Sequence, residues 1–143
     1  HDYLKELGAK EVVSREEVNP EKIRALGTQR WAGAVDPVGG RTLAALLSHT
    51  KYGGSVAVSG LTGGPKVETT VFPFILRGVN LLGIDSVYCP MEIRQPLWER
   101  MASELKPDSL LSDIGQEVDL DGLPAVLGNI LKGEVRGRTI VKL

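Results

Sequence analysis

Apolar residues in this chain alternate between short continuous runs and sets at helical spacing. The runs at 31–35, 55–58 and 79–84 predict strands, since glycine, proline or polar residues bound each of them. Apolar residues at helical spacing within 41–49 and 94–105 predict helices. Strands that are apolar at consecutive positions are typical of a parallel sheet covered on both faces. The pattern therefore predicts an α/β fold built on a doubly wound parallel sheet.

The first thirty residues carry weaker patterns. Tyr3, Leu4 and Leu7 lie at helical spacing and predict a helix that stops at Gly8. Residues 11–14 are predicted to form a short strand. The pair Asn19-Pro20 suits a helix start, so we predict a helix over residues 21–26.

The pattern changes after residue 108. Residues 116–120 and 139–143 alternate polar and apolar side chains, and residues 123–131 have the spacing of an amphipathic helix. Alternation of this kind is typical of half-exposed strands. We therefore expect antiparallel structure in this tail.

Composition and charge exclude several classes of partner. The chain has 143 residues, with 17 basic and 18 acidic side chains and no long run of either sign. This balance indicates neither a nucleic-acid nor an anionic-membrane partner. The single cysteine, Cys89, excludes an intrachain disulfide and a multi-cysteine zinc site, and it suits a reducing compartment. No stretch resembles a membrane span or a signal peptide, so we predict a cytoplasmic protein.

Candidate binding residues follow three of the predicted strands. The segments DPVGG at 36–40, SGLTGG at 59–64 and IDSVYC at 84–89 each stand where a strand ends. Ligands of open α/β sheets bind beyond the carboxyl ends of the strands, and glycine allows backbone to approach a ring or a ribose. Any one of these segments could be an ordinary turn, but three along one edge favour a ligand crevice.

A phosphate-binding turn is missing from the sequence. It contains no P-loop and no G-x-G-x-x-G motif between a first strand and its helix, and therefore no acidic residue at the end of the strand that would follow such a motif. If a dinucleotide binds, we expect this chain to supply the nicotinamide side of the site. The pyrophosphate turn would then lie upstream of His1.

Several longer motifs resemble a known family. They are DYLKELGAKEVVSR, WAGAVDPVGG, YGGSVAVSGLTGG, PFILRGVNLLGIDSVYCP and GRTIVKL. Together they are similar to the zinc-free medium-chain dehydrogenase/reductase superfamily, in its acryloyl-CoA reductase or quinone oxidoreductase branch. The similarity extends along essentially the whole chain. Members are about twice as long, so the resemblance implies a carboxyl-terminal part that is incomplete for catalysis by itself.

The resemblance also implies a domain assignment and an activity. Residues 1–108 would form part of an NAD(P)-binding Rossmann domain whose first βαβ unit is missing, and residues 109–143 would belong to a GroES-like catalytic domain. The family reduces an activated C=C bond, in an acryloyl-CoA-like enoyl thioester or a quinone or enone, with NADPH and without a metal. A homodimer is the expected assembly.

The resemblance carries cofactor-binding positions over to this chain but no catalytic residue. The positions along the nicotinamide and its ribose would be Val38, Ser59, Gly60 and Leu61. The same side of the site would be completed by Ile84, Asp85 and Ser86. Further cofactor positions would be Gly78, Cys89 and Arg138. Arg138 would donate to a phosphate or ribose oxygen. Without the resemblance, we would interpret Arg138 as a solvated charge.

Some residues keep two interpretations. Asp36 could orient a ribose or start a turn, and Arg77 could contact a substrate phosphate or be a surface charge. Cys89 lacks a histidine in a catalytic context, which favours an inert thiol over a nucleophile. Trp31 and Trp98 are expected to pack in the core or between helices.

Two other functions remain open at the level of the sequence. The fold could serve as a non-catalytic oligomerisation or interaction module that pairs through the strand at 79–84. A methyltransferase that binds S-adenosylmethionine is less favoured, because its glycine loop is absent as well.

Overall fold

The computed structural model describes residues 1–108 and 115–143, and it divides into two compact units. One unit is Val12–Cys89, and the other combines His1–Glu11 with Pro90–Leu143. Residue 109, where the second predicted domain begins, lies outside the described residues. The assignment of residues 1–108 and 109–143 to two different domains therefore stays a prediction.

The secondary-structure elements, in chain order, are α1 (Asp2–Glu6), α2 (Arg15–Val18), β1 (Trp31–Asp36), α3 (Gly40–His49), β2 (Thr50–Val58), α4 (Phe72–Arg77), β3 (Asn80–Gly83), α5 (Met91–Ala102), β4 (Gly115–Val118), α6 (Leu123–Lys132) and β5 (Arg138–Val141).

The unit Val12–Cys89 is built on a parallel sheet in the order β1-β2-β3. Helix α3 connects β1 to β2, and α4 connects β2 to β3. The strands predicted at 31–35, 55–58 and 79–84 and the helix predicted at 41–49 are confirmed. The predicted α/β class and the partial Rossmann-type parallel sheet are confirmed with them.

The core of this unit lies on one face of the sheet. Leu43 and Leu47 of α3 pack with Val56 of β2 and with Val79, and Phe74 of α4 joins the same cluster. Both crossover helices lie on this face, because successive right-handed crossovers in one direction place their helices on the same side.

The other face of the sheet has no helix from this unit against it. Val35 is 78% exposed there, and every residue of β3 is exposed. Within the described residues, the sheet is therefore covered on one side, whereas the apolar runs predicted cover on both.

Two predictions made before residue 31 are wrong. Residues 11–14 form no strand and residues 21–26 form no helix; the helix is α2 instead. Ser14 caps α2 by accepting a hydrogen bond of 3.1 Å from the Glu17 backbone N–H. A serine followed three residues later by glutamate is a helix-start signal, and here it is stronger than the Asn19-Pro20 pair.

The second unit contains a β-α-β arrangement. Strands β4 and β5 are parallel, with Gly115 opposite Arg138 and Val118 opposite Val141. The prediction of antiparallel strands in the tail is wrong, because α6 lies between them and returns the chain to the same end, as a parallel crossover requires. The predicted helices at 123–131 and 94–105 are confirmed as α6 and α5, and the predicted amino-terminal helix as α1.

Side chains of α5 do not form a core within the described residues. No residue of α5 is buried, and Trp98 is 60% exposed, so the packing role predicted for Trp98 is wrong. Trp31 is partly buried, and the Arg30 guanidinium stacks over its ring at 4.7 Å. Across 1–108 and 115–143, no helix has the length and apolar character needed to cross a membrane.

Candidate functional site

The carboxyl ends of the three parallel strands lie side by side. Asp36 is opposite Val58, and Val58 is opposite Gly83. Backbone hydrogen bonds of 2.9 Å continue this alignment beyond the strands, from Ser59 N–H to the Asp36 carbonyl and from Ile84 N–H to the Val58 carbonyl. The register thus brings together the predicted residues that directly follow the strands, namely Val38, Ser59, Gly60, Leu61, Ile84, Asp85 and Ser86.

Asp36 starts the turn after β1. Its side chain is 1% exposed, and its two carboxylate oxygens accept hydrogen bonds from the backbone N–H groups of Val38, at 2.9 Å, and Gly39, at 3.0 Å. A buried carboxylate engaged in this way cannot reach a ribose on the surface. Of the two interpretations open for Asp36, the structure supports the turn.

The glycines of the first two loops face each other. A β-carbon built on Gly60 would lie 2.1 Å from the Pro37 carbonyl oxygen, and one on Gly39 would lie 2.9 Å from the Gly60 oxygen. Gly39 has a φ of 69°, which also favours glycine. From the sequence we expected this space to admit a ligand, whereas in the structure the backbone of the neighbouring loop fills it.

The third loop presents apolar side chains at the same edge. Ile84 is 50% exposed and Tyr88 is 84% exposed, while Leu61 of the second loop is 65% exposed. The Asp85 carboxylate accepts from the backbone N–H groups of Val87 and Tyr88, at 3.0 and 3.1 Å, and so closes the turn. Exposed apolar side chains around ordered backbone are what a ligand wall requires.

Val38 also lines a cleft of about 440 Å³. Thr42 of α3 and Thr62 of the second loop line it too, with Asn19 at the end of α2. The side-chain oxygen of Asn19 is buried without a hydrogen-bond partner. Thr42, Thr62 and Asn19 were missed as site residues; only Thr62, next to Leu61, was adjacent to a residue that the motifs picked out.

A larger groove, of about 900 Å³, runs beside the first half of α3. Three basic side chains line it, Arg24, Arg41 and Lys66, together with Glu68. The Arg41 guanidinium donates to the backbone carbonyls of Pro20 and Glu21, which holds that segment to the helix.

Three predicted cofactor residues are not part of the strand-end cluster. Gly78 ends α4 with a φ of 59°, before β3 begins, so it lies at the opposite end of that strand from Ile84. Cys89 is partly buried and ends the unit Val12–Cys89. Arg138 is exposed at the start of β5 in the other unit. Their cofactor contacts stay predictions.

Arg77 has a role that neither sequence interpretation included. Its guanidinium donates to the Ser48 carbonyl at 2.9 Å and to the Gly27 carbonyl at 2.7 Å. Ser48 lies in the last turn of α3, where carbonyl groups lack helical partners. Arg77 therefore fastens α4 to the end of α3 and to the segment before β1.

The parallel β1-β2-β3 sheet with its crossover helices is a Rossmann-type α/β unit of the kind that dehydrogenases contain. The chain belongs to the zinc-binding dehydrogenase family, whose model matches residues 1–103. The resemblance to the acryloyl-CoA reductase branch is confirmed by its relatives. Across the part of the chain that the structure describes, no group of three or more His, Cys, Asp or Glu residues is placed to hold a metal ion.

Individual relatives are similar over the whole chain. The crystal structure of Bacillus subtilis protein YhfP with NAD bound is 63% identical, with a TM-score of 0.93, and covers 99% of this chain and 43% of its own. The acrylyl-CoA reductase AcuI of Ruegeria pomeroyi is 50% identical over 98% of this chain and 42% of its own. E. coli K-12 YhdH with bound NADPH is 44% identical, with a TM-score of 0.89, over 99% of this chain and 43% of its own. This chain thus spans less than half the length of these relatives.

Proposed function

We propose that this chain supplies the nicotinamide side of an NADPH-dependent reductase that acts on an activated C=C bond. The observation that carries the proposal is the common edge at which the loops after β1, β2 and β3 meet. The relatives with bound NAD and NADPH support the cofactor class. The acrylyl-CoA reductase among them supports an enoyl thioester as the substrate, with a quinone or enone as the other candidate.

The residues present fit a dinucleotide. Leu61 and Ile84 offer exposed apolar surface for the flat face of a nicotinamide ring. The cleft beside Val38 has threonine hydroxyls and the unpartnered Asn19 oxygen, which suit the polar groups of a nucleoside. We call the surface against the nicotinamide the cofactor wall; in this proposal it consists of Val38, Ser59, Gly60, Leu61, Ile84, Asp85 and Ser86. The further cofactor positions are Gly78, Cys89 and Arg138.

NADPH would supply the hydride, and the chain would orient its ring and keep water away from it. Asp36 and Asp85 fix the turns that carry the wall through hydrogen bonds to backbone N–H groups. The backbone of the wall is therefore held by hydrogen bonds inside the protein. A preordered wall reduces the entropy lost when the ring is bound.

The proposal includes the domain assignment and the absence of a catalytic zinc. Residues 1–108 would be the cofactor part and residues 109–143 would complete a GroES-like catalytic domain. Reduction of a C=C bond by hydride transfer needs polar donors for the developing enolate, and these can be protein groups rather than a metal.

A homodimer through β3 is part of the same proposal. Within the described residues β3 pairs only with β2, and Leu81 and Leu82 are 41% and 48% exposed. An unpaired strand edge with exposed apolar residues can pair with a second copy across a two-fold axis. The same observation supports the alternative function, a non-catalytic oligomerisation module.

Titration with NADPH, followed by nicotinamide fluorescence, tests the proposal, with molar mass measured on the same samples. The titration is done on this chain and on the full-length protein that carries it. Saturable binding with NADPH-dependent reduction of acryloyl-CoA or a quinone by the full-length protein is the expected result. A stable dimer that neither binds NADPH nor reduces these substrates would favour the oligomerisation module.

A further inference from the structure

We infer that Asp36 is a positioning residue for the cofactor wall, a role that rests on the proposed function. The residue offers three acceptors to two different loops. Its carboxylate oxygens accept from Val38 and Gly39 in the first loop, at 2.9 and 3.0 Å. Its backbone carbonyl accepts from Ser59 in the second loop, at 2.9 Å. One residue therefore fixes the start of both loops.

The two loops are packed without free space between them. The β-carbon position of Gly60 lies 2.1 Å from the Pro37 oxygen, so neither loop can move toward the other. Gly63 N–H also donates to the Val38 carbonyl at 2.7 Å. A displacement of the first loop is therefore transmitted to the second, which carries Ser59, Gly60 and Leu61.

Burial makes the carboxylate of Asp36 hard to replace. The residue is 1% exposed, so water cannot take over hydrogen bonds that a substitution removes. In the variant Asp36→Asn, the side-chain amide keeps one acceptor oxygen, but its NH₂ group faces a backbone N–H. Donor would then face donor at Val38 or Gly39, and the loop would have to shift to separate them.

This position also excludes direct contact with a ligand. Both carboxylate oxygens are engaged by backbone and enclosed by the protein. Asp36 therefore acts through Val38 and the second loop, and cofactor affinity is the property that it sets.

The variants Asp36→Asn and Asp36→Ser in the full-length protein test this inference. Val79→Ala is the control, because Val79 belongs to the apolar core of the same unit but precedes β3, at the end of the strand away from the loops. NADPH affinity is measured by nicotinamide fluorescence and the fraction folded by thermal unfolding. We expect the Asp36 variants to raise the Kd for NADPH about tenfold, because loops that are no longer held in place lose conformational freedom when NADPH binds, and this ordering lowers affinity.

The control distinguishes a positioning role of Asp36 from a general loss of protein stability. Val79→Ala should lower the unfolding temperature and leave the Kd for NADPH unchanged. Unchanged NADPH affinity in folded Asp36→Asn or Asp36→Ser, with a wild-type protein that binds, would overturn the inference alone. A wild-type protein without NADPH binding would instead overturn the proposed function on which it rests.

Discussion

The carbonyl oxygen of Pro37 occupies the space in which Gly60 would carry a side chain. The β-carbon position of Gly60 lies 2.1 Å from that oxygen, which is closer than nonbonded atoms can approach. Backbone of the neighbouring loop is therefore sufficient to require glycine at this position. The shape of the candidate cofactor wall is set by contacts inside the protein.

Replacement of Gly60 by alanine should force the two loops apart. We expect Gly60→Ala to lower the free energy of unfolding by about 1–3 kcal/mol, the range for overpacking a well-packed site. Chemical denaturation measures this change. Gly83→Ala is the matched control, since Gly83 ends the adjacent strand and has no atom within 4 Å of its β-carbon position. Equal stability of the two variants would show that the loops can separate without cost.

Periodicity predicted the sheet well and the connecting segments poorly. Strand β2 carries the core residue Val56, helix α3 carries Leu43 and Leu47, and Ala34 of β1 packs against them, so the apolar pattern of these elements reflects their packing. Helix α2 has no buried residue, and its start depends on one capping hydrogen bond at Ser14. An apolar pattern cannot show such a helix, whereas the Ser14–Glu17 pair could have shown it.

The candidate site could be predicted only as far as topology determines it. The carboxyl ends of parallel strands must share an edge, which is why Val38, Ser59 and Ile84 come together. What the glycines contact depends on how the loops pack, and no local pattern encodes that. Asn19 lines the cleft because it ends α2, whereas its sequence context predicted the start of a helix over residues 21–26.

Arg77 should matter for stability and not for cofactor binding. Arg77→Ala removes charge-assisted hydrogen bonds to the partly buried carbonyls of Ser48, Thr50 and Gly27. The Ser48 carbonyl keeps its bond from the Gly27 backbone N–H. We expect Arg77→Ala to lower the free energy of unfolding by about 1.5–3 kcal/mol, the range for hydrogen bonds to a charged group. Arg77→Lys should recover part of this loss, because a lysine ammonium cannot match the guanidinium fork.

Two measurements separate this role from phosphate binding. Chemical denaturation gives the stability of the Arg77 variants, and a titration gives their Kd for NADPH. Lys51→Ala is the control, since Lys51 is an exposed cation on β2. A weakened NADPH affinity at unchanged stability would return Arg77 to the phosphate-contact interpretation.

Gly128 and Gly133 form a matched pair in and after α6. Neither has an atom within 4 Å of its β-carbon position, but Gly133 has a φ of 74° and Gly128 has ordinary helical backbone. We expect Gly128→Ala to raise the free energy of unfolding by about 0.5–1 kcal/mol, through the higher helix propensity of alanine. Gly133→Ala should lower it by about 1 kcal/mol, because alanine is strained in the left-handed region.

The comparison of these two variants by thermal unfolding isolates backbone conformation from packing. Because both side chains would point into open space, contacts cannot account for opposite signs. A stabilising effect at both positions would show that the end of α6 tolerates a non-glycine residue.

A variant of Arg138 tests a cofactor contact that rests on the family resemblance and not on the geometry of the structure. Arg138 is exposed at the start of β5, where its backbone is paired with Gly115. If it donates to a cofactor phosphate or ribose oxygen, Arg138→Ala should weaken NADPH binding by the full-length protein by about 1–3 kcal/mol. The loss should shrink as salt is raised, because ions screen an exposed charged contact.

Lys142→Ala is the control for Arg138→Ala, since it removes an exposed cation just beyond the other end of β5. A general effect of net charge would weaken NADPH binding to a similar extent in both variants. A specific contact would weaken it in Arg138→Ala alone, and more at low salt than at high salt. Wild-type affinity in Arg138→Ala would make Arg138 a solvated charge, as the residue would be interpreted without the family resemblance.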